Sequence, residues 1–185
     1  MPGCGGDEFT VTVDPDLPSG QACTDTTADE MIAGIDLDGQ VALVTGCNSG
    51  LGFETMRVLA GAGAHVLGTG RTLEKAEVAC DAVAGETTPL VLELSDFDGV
   101  VACAREVKTL GLVPDILVLN AGINTFGELE LVNGVEKIFV VNFLGHFLLV
   151  QHLLPAMLET GSGRIVHVSS RSAYRQAPAN GIDFD

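Results

Sequence analysis

The stretch that most constrains this chain is "VALVTGCNSGLGFETMRVLAGAGA", Val41 to Ala64. An apolar run of strand type enters a glycine loop, and a helix of amphipathic type leaves it. The glycines stand at Gly46, Gly50 and Gly52, in the spacing G-x-x-x-G-x-G. In a strand–loop–helix context each has a task. Gly46 allows a tight turn, Gly50 lets backbone approach a diphosphate, and Gly52 lets the helix pack closely on the strand. The helix N-terminus then offers unpaired N–H groups and the positive end of its dipole to phosphates. This reading predicts nucleotide binding.

The rest of the chain repeats the same alternation. Strands are expected at Val41 to Thr45, at "HVLGTG", at "TPLVLEL", at "DILVLNAG" and at "RIVHVSS". Helices are expected between them, the longest from about Gly134 to Glu159. Strands separated by helices of this length must run parallel. The fold class is therefore α/β, a doubly wound parallel sheet with helices on both faces. Residues 1–32 read as an acidic, flexible extension rich in Gly, Pro, Asp and Thr. A short helix capped by Thr27 or Asp29 would lead into the domain, residues 33–185.

Composition excludes several function classes. The formal net charge is -16, and no Lys or Arg precedes Arg57. Binding to nucleic acid needs a basic patch, so neither nucleic acid nor an anionic membrane surface is an expected partner. The five cysteines are scattered without a CxxC pair, which argues against a disulfide framework or a zinc site. No metal site is expected. No secretory signal is read at the N-terminus. The apolar run "IFVVNFLGHFLLVQHLLPAML" is broken by Asn142, His146, His152 and Pro155, and reads as a buried helix better than as a membrane span. A cytoplasmic protein is expected.

The tip of the second strand bears on the cofactor. An acidic residue there would hold the ribose hydroxyls of NAD. The sequence instead reads "GTGR", with Gly70 and Arg71. The planar fork of Arg71 can pair with a 2′-phosphate, which favours NADP(H) over NAD(H).

Five motifs, "TGCNSGLG", "GTGR", "LNAG", "VNFLGHF" and "RIVHVSS", occur in this order. With them the chain resembles the short-chain dehydrogenase/reductases, which have a Rossmann-type sheet. It looks most like their retinol-dehydrogenase and WW-domain-oxidoreductase-like branch, to which "GIDLDGQVALVTG" and "GIDFD" are also similar. The resemblance implies NADP(H)-dependent hydride transfer between the cofactor and a small-molecule carbonyl/alcohol pair. It matches Thr45, Gly46, Asn48, Ser49, Gly50, Leu51 and Gly52 to the cofactor loop, and Arg71 to the arginine of NADP-preferring members. Glu93 and Leu94 stand where the family usually has Asp-Leu or Asp-Val against adenine. Asn120, Ala121 and Gly122 match the turn beside the adenosine ribose. Asn142 matches a structural and catalytic asparagine, a role compatible with a core amide that bonds backbone. Ser170 matches the serine that hydrogen-bonds the substrate carbonyl or alcohol. A protease-type serine is disfavoured, because the chain has no G-x-S-x-G elbow. His146 and His167 read as packed histidines rather than bases.

One part of the family pattern is missing. Family members transfer the proton through a Tyr-x-x-x-Lys pair, with the lysine lowering the tyrosine pKa. The single tyrosine, Tyr174, has Pro178 four residues on and lies only four residues past Ser170, so it is rejected for that role. The resemblance implies a chain that stops before its proton donor and lacks two further strands. "RIVHV" would then be an exposed sheet edge, and the isolated chain marginally stable, oligomeric or aggregation-prone. A nucleotide-binding module without turnover and an inactive truncated product are the alternatives to the enzyme. Family members commonly form dimers or tetramers through the long helix, and the apolar run from Ile138 to Leu154 suits either that use or burial against its own sheet.

Overall fold

The computed structural model of the chain describes residues 26–124 and 128–170. Five strands form one parallel sheet: β1 Val41–Val44, β2 His65–Gly70, β3 Thr87–Val91, β4 Ile116–Leu119 and β7 Arg164–His167. Their spatial order is β3-β2-β1-β4-β7. The chain therefore builds outward from β1 through β2 to β3, then returns to place β4 on the other side of β1. That reversal opens a crevice at the C-terminal ends of β1 and β4, where open α/β sheets bind ligands.

The strands alternate, but both faces are apolar. Ala42 and Val44 of β1, Val66 of β2 and Val118 of β4 join one core with Met56, Ala60, Ala79 and Cys80. These last come from the helices α2 Gly50–Gly61 and α3 Leu73–Asp81. Leu43, Leu67, Leu117 and Leu119 point the other way. They meet Val100, Cys103 and Val107 of α4 Phe97–Thr109, and Leu149, Leu153 and Met157 of the long helix. A period of two with both phases filled by Val, Leu and Ala is what a parallel sheet covered on both faces requires.

A short helix, α1 Ala28–Ile32, precedes the sheet. Thr27 caps it through a reciprocal pair with Glu30. It docks on α2, where Arg57 bonds Asp29 at 2.8 Å, and Ile32 packs against the first core. The part of the extension nearest the domain is thus held by it. Met1 to residue 25, Tyr174 and "GIDFD" lie outside the described residues.

Two elements differ from the sequence reading. The long helix, α5 Lys137–Thr160, begins three residues after Gly134. Residues just before it form an antiparallel hairpin, β5 Leu131–Val132 and β6 Val135–Glu136. Asn133 and Gly134 both have positive φ, 52° and 80°, the geometry of a tight two-residue turn. Within α5, Val140–Leu144 is π-helical. By length and composition α5 could cross a membrane, with a mean hydropathy of 1.6 in its most apolar window. Its Val140, Val141, Gly145, His146, Leu149, Leu153 and Met157 are buried within the domain.

Strand boundaries also shift. β1 ends at Val44, β3 at Val91 and β7 at His167. Thr45, Glu93, Leu94 and Ser170 are consequently loop residues just past strand ends rather than parts of strands.

Candidate cofactor site

The glycine loop is held from both sides before its helix starts. On the β2 side, Gly46 N–H donates to Thr69 Oγ1 at 3.2 Å and Cys47 N–H to the Thr69 carbonyl at 2.8 Å. On the β4 side, Asn120 Nδ2 donates to the Thr45 carbonyl at 2.9 Å. Gly46 has φ +74°, and a Cβ there would sit 2.9 Å from the Ala121 Cβ. Gly52 is buried against the loop itself, so that a Cβ would collide with the Gly46 carbonyl oxygen and the Asn120 amide. The left-handed turn at Gly46 and the close approach at Gly52 each favour glycine.

Helix α2 then begins at Gly50, with Ser49 at the N-cap making no side-chain capping bond. Its first N–H groups lie at the end of the helix that carries partial positive charge. A cavity of about 370 Å³ opens here. Gly46, Asn48 and Ser49 line it from the loop, and Arg71 from the end of β2. Glu93 and Leu94 line it from beyond β3, and Asn120, Ala121 and Gly122 from the end of β4. Nine of the residues singled out by sequence thus converge on one cavity at the switch point.

The electrostatics of the cavity favour an anion at one end. Arg57 is engaged by Glu54 and Asp29. Arg71, by contrast, forms no ion pair among the described residues and stands exposed at the rim. Glu93 is partly committed: its Oε1 accepts from Ser95 N–H at 3.1 Å and Ser95 Oγ at 2.7 Å. Cys47, although inside the loop, is fully buried and donates to the Val44 carbonyl. Burial pushes its thiol up to about 12, so it is an inert packing group rather than a nucleophile.

Other sequence candidates occupy different places. Thr45 is completely buried beneath the cavity, where its hydroxyl accepts from the Asn120 and Ala121 N–H groups, each at 2.9 Å. Gly50 and Leu51 are exposed on the first turn of α2 and do not line the cavity. Asn142 also lies outside the lining. Its Oδ1 accepts from Ile123 N–H at 2.8 Å and its Nδ2 donates to the Ile123 carbonyl at 2.9 Å, clamping the loop after β4 to the π-helical segment. Ser170 stands exposed past the end of β7, apart from the cavity. Thr69, Leu92, Ile123, Lys137 and Val141 line the cavity without having been singled out. Lys137 carried no usable sign in the sequence, because its access depends on where α5 starts.

The family model for short chain dehydrogenases matches residues 40–182. The chain belongs to the short-chain dehydrogenase/reductase family. Among curated relatives, a probable oxidoreductase of Streptomyces antibioticus is 45% identical over 157 residues, covering 82% of this chain and 50% of that protein. The WW domain-containing oxidoreductase of Homo sapiens is 35% identical over 171 residues, covering 89% of this chain and 41% of that protein. Retinol dehydrogenase 11 of Mus musculus is 37% identical over 74% of this chain and 45% of its own length. The chain thus spans about half the length or less of these relatives. Among solved structures, a metagenomic short-chain oxidoreductase in complex with NADP is similar with a TM-score of 0.66 and 34% identity, covering 72% of this chain and 63% of that one. A 3-oxoacyl (acyl-carrier-protein) reductase from Agrobacterium tumefaciens with NADP bound has a TM-score of 0.68 and 29% identity, over 76% and 56%. The parallel sheet and its flanking helices are those of this family of oxidoreductases.

Proposed function

We propose that this short-chain dehydrogenase/reductase chain binds NADP(H) in the switch-point cavity, and that the protein transfers hydride between that cofactor and a carbonyl/alcohol substrate. The observation that carries the reading is the convergence on one cavity of a helix N-terminus, a glycine cradle with no room for side chains, and an arginine that forms no ion pair among the described residues. The donor set fits a dinucleotide. Backbone N–H groups and the end of α2 suit a diphosphate, and a guanidinium suits a 2′-phosphate. When bound, the nicotinamide supplies the hydride chemistry.

The residues of the chain bind and orient. Gly46, Asn48, Ser49, Gly50 and Leu51 present the loop and first helical turn to the diphosphate, with Thr45 and Gly52 supporting them from beneath. Arg71 selects the phosphorylated ribose. Glu93 and Leu94 border the adenine end, and Asn120, Ala121 and Gly122 form the wall beside the ribose. Asn142 fixes that wall through Ile123, and Ser170 is the hydrogen-bonding partner of the substrate oxygen. We take residues 33–185 as the dinucleotide-binding domain and 1–32 as its acidic extension. The buried face of α5 supports a helix of the domain rather than a membrane span. Its exposed stripe of Phe139, Phe143 and Phe147, stacked at centroid distances of 5.1 and 6.2 Å, supports self-association through the same helix.

A nucleotide-binding module without turnover is the second reading. It is favoured by the lining of the cavity, in which, among the described residues, neither Asn142 nor Ser170 takes part. Fluorescence titration with NADPH and NADH tests the first half of the proposal. Tighter binding of NADPH by about tenfold or more is expected, collapsing toward parity in Arg71→Gln, since hydrogen bonds to charged groups contribute about 1.5 to 3 kcal/mol. Equal affinities in the unaltered chain would remove the NADP assignment. Oxidation of NADPH by carbonyl substrates in the protein from its natural source separates the enzyme from the binding module.

A further inference from the structure

His146 is a buried histidine with two ring contacts, and both are informative. Its Nε2 lies 3.0 Å from Thr45 Oγ1, and its Nδ1 lies 3.2 Å from the carbonyl oxygen of Asn142. Thr45 joins β1 to the glycine loop, while Asn142 lies in the π-helical segment of α5. The ring therefore bridges the long helix and the floor of the cavity.

The protons on this bridge follow from counting. A threonine hydroxyl has two acceptor positions and one proton. The N–H groups of Asn120 and Ala121 can only donate, and both donate to Thr45 Oγ1. The acceptor positions are thus filled, and the hydroxyl proton must point at the third neighbour, His146 Nε2. That nitrogen is then bare. At the other end a carbonyl oxygen can only accept, so Nδ1 must carry the ring proton. The two ends give the same neutral tautomer independently. A protonated ring would push an Nε2–H against a hydroxyl oxygen whose acceptor positions are already used. Burial holds the pKa of His146 below the ordinary histidine value. The Asn142 carbonyl opposes that shift, and His167 on β7 adds to it.

We propose that His146 is a positioning residue of the dinucleotide site: as the neutral Nδ1–H tautomer it accepts the Thr45 hydroxyl proton, which turns both acceptor positions of that oxygen toward the Asn120 and Ala121 amides and fixes the cavity wall. The ligand rests on the function proposed above, but the hydrogen-bond relay does not. The relay also explains why a buried threonine sits where the cavity needs none of its surface. Two backbone N–H groups pointing the same way at the sheet's end must find an acceptor. One oriented hydroxyl serves both, provided its own proton has somewhere to go.

The test uses three measurements on the 185-residue chain. Nitrogen-15 NMR of the imidazoles should show His146 with a protonated Nδ1 and a bare Nε2 at neutral pH. His146→Leu keeps the apolar volume and leaves the Thr45 hydroxyl proton and the Asn142 carbonyl without the ring. It should accelerate hydrogen exchange at the Asn120 and Ala121 amides and weaken NADPH binding about tenfold, the scale of one buried unpaired polar group. His146→Gln, whose Oε1 can reach the place of Nε2, should restore most of both. A ring protonated at Nε2, or amide exchange in His146→Leu equal to the unaltered chain, would overturn the assignment. If His146→Leu does not fold, the tautomer and the glutamine variant still decide. Absence of NADPH binding in the unaltered chain would refute the function while leaving the tautomer and exchange results to judge the relay.

Discussion

Strands β1 and β7 are alike in length and pairing and opposite in circumstance. Each has four residues, each runs parallel, and each pairs with β4. Ala42, Leu43 and Val44 of β1 are completely buried, whereas Val166 of β7 is 45% exposed. The difference is the number of neighbours. β1 lies between β2 and β4 with helices over both faces. Among the described residues β7 has β4 on one side and nothing on the other. An apolar pattern states which residues can be buried, and position in the sheet decides which are. The candidate site residues follow the same division. The tip of β1 leads into a loop bonded from both sides, while the tip of β7 leads to Ser170, outside the cavity.

The sharpest break between the two regions is energetic. Leu117, in β4 beneath the long helix, is fully buried in the second core. Leu117→Ala should cost about 2 to 5 kcal/mol, from lost transfer energy and the cavity left behind. Val166→Ala removes a half-exposed side chain and should cost less than about 1 kcal/mol. Denaturant unfolding of both variants measures the contrast. A Val166→Ala cost equal to that of Leu117→Ala would mean that β7 is covered in solution and that its edge position is not real.

Backbone contact gives a second contrast. A Cβ at Gly52 meets backbone and the Asn120 amide, none of which can move without breaking the loop. A Cβ at Gly163, just before β7, meets the flexible end of Met157 at 3.3 Å. Gly52→Ala should therefore lose about 1 to 3 kcal/mol of stability, the usual cost of forcing extra volume into a packed site, and should also abolish detectable NADPH binding. Gly163→Ala should leave binding unchanged. Tight NADPH binding by Gly52→Ala would show that the loop relaxes and that the cradle does not depend on this glycine.

These contrasts also explain what the sequence revealed. The glycine loop was legible because the left-handed turn at Gly46 and the close approach at Gly52 each favour glycine, and spacing records that directly. The parallel sheet was legible because β1, β2 and β4 are apolar in both phases. The hairpin had a signal, the Asn133-Gly134 pair between apolar residues, but its strands are two residues each and the apolar content of α5 hid it. The π-helical segment had none; Asn142 within it bonds Ile123, and Gly145 just after it lies against Leu94, contacts between distant parts of the chain. His146 was legible as a packed histidine. Its partner Thr45 was not, because the two are separated by 101 positions. Contacts across that distance are set by the sheet order, which a single sequence does not state.

The smallest effect on stability is expected on the outer face of α5, where the comparison can be repeated within one helix. Leu149 and Leu153 face the second core and are buried. Phe143, one turn or more away, is 53% exposed between Phe139 and Phe147. A stripe of three stacked phenylalanines rarely faces water in a monomer without a purpose. Phe143→Ser should change the stability of the monomeric unit by only about 0.5 kcal/mol, as for most surface substitutions. It should nevertheless shift sedimentation toward the monomer, because an aromatic side chain at the centre of such a stripe contributes far more to association than to folding. An unaltered chain that already sediments as a monomer at all concentrations would remove self-association through α5. A Phe143→Ser variant that unfolds as easily as Leu117→Ala would show that the stripe is covered within the protein itself, and the two faces of the helix would then differ only in which part of the chain buries them.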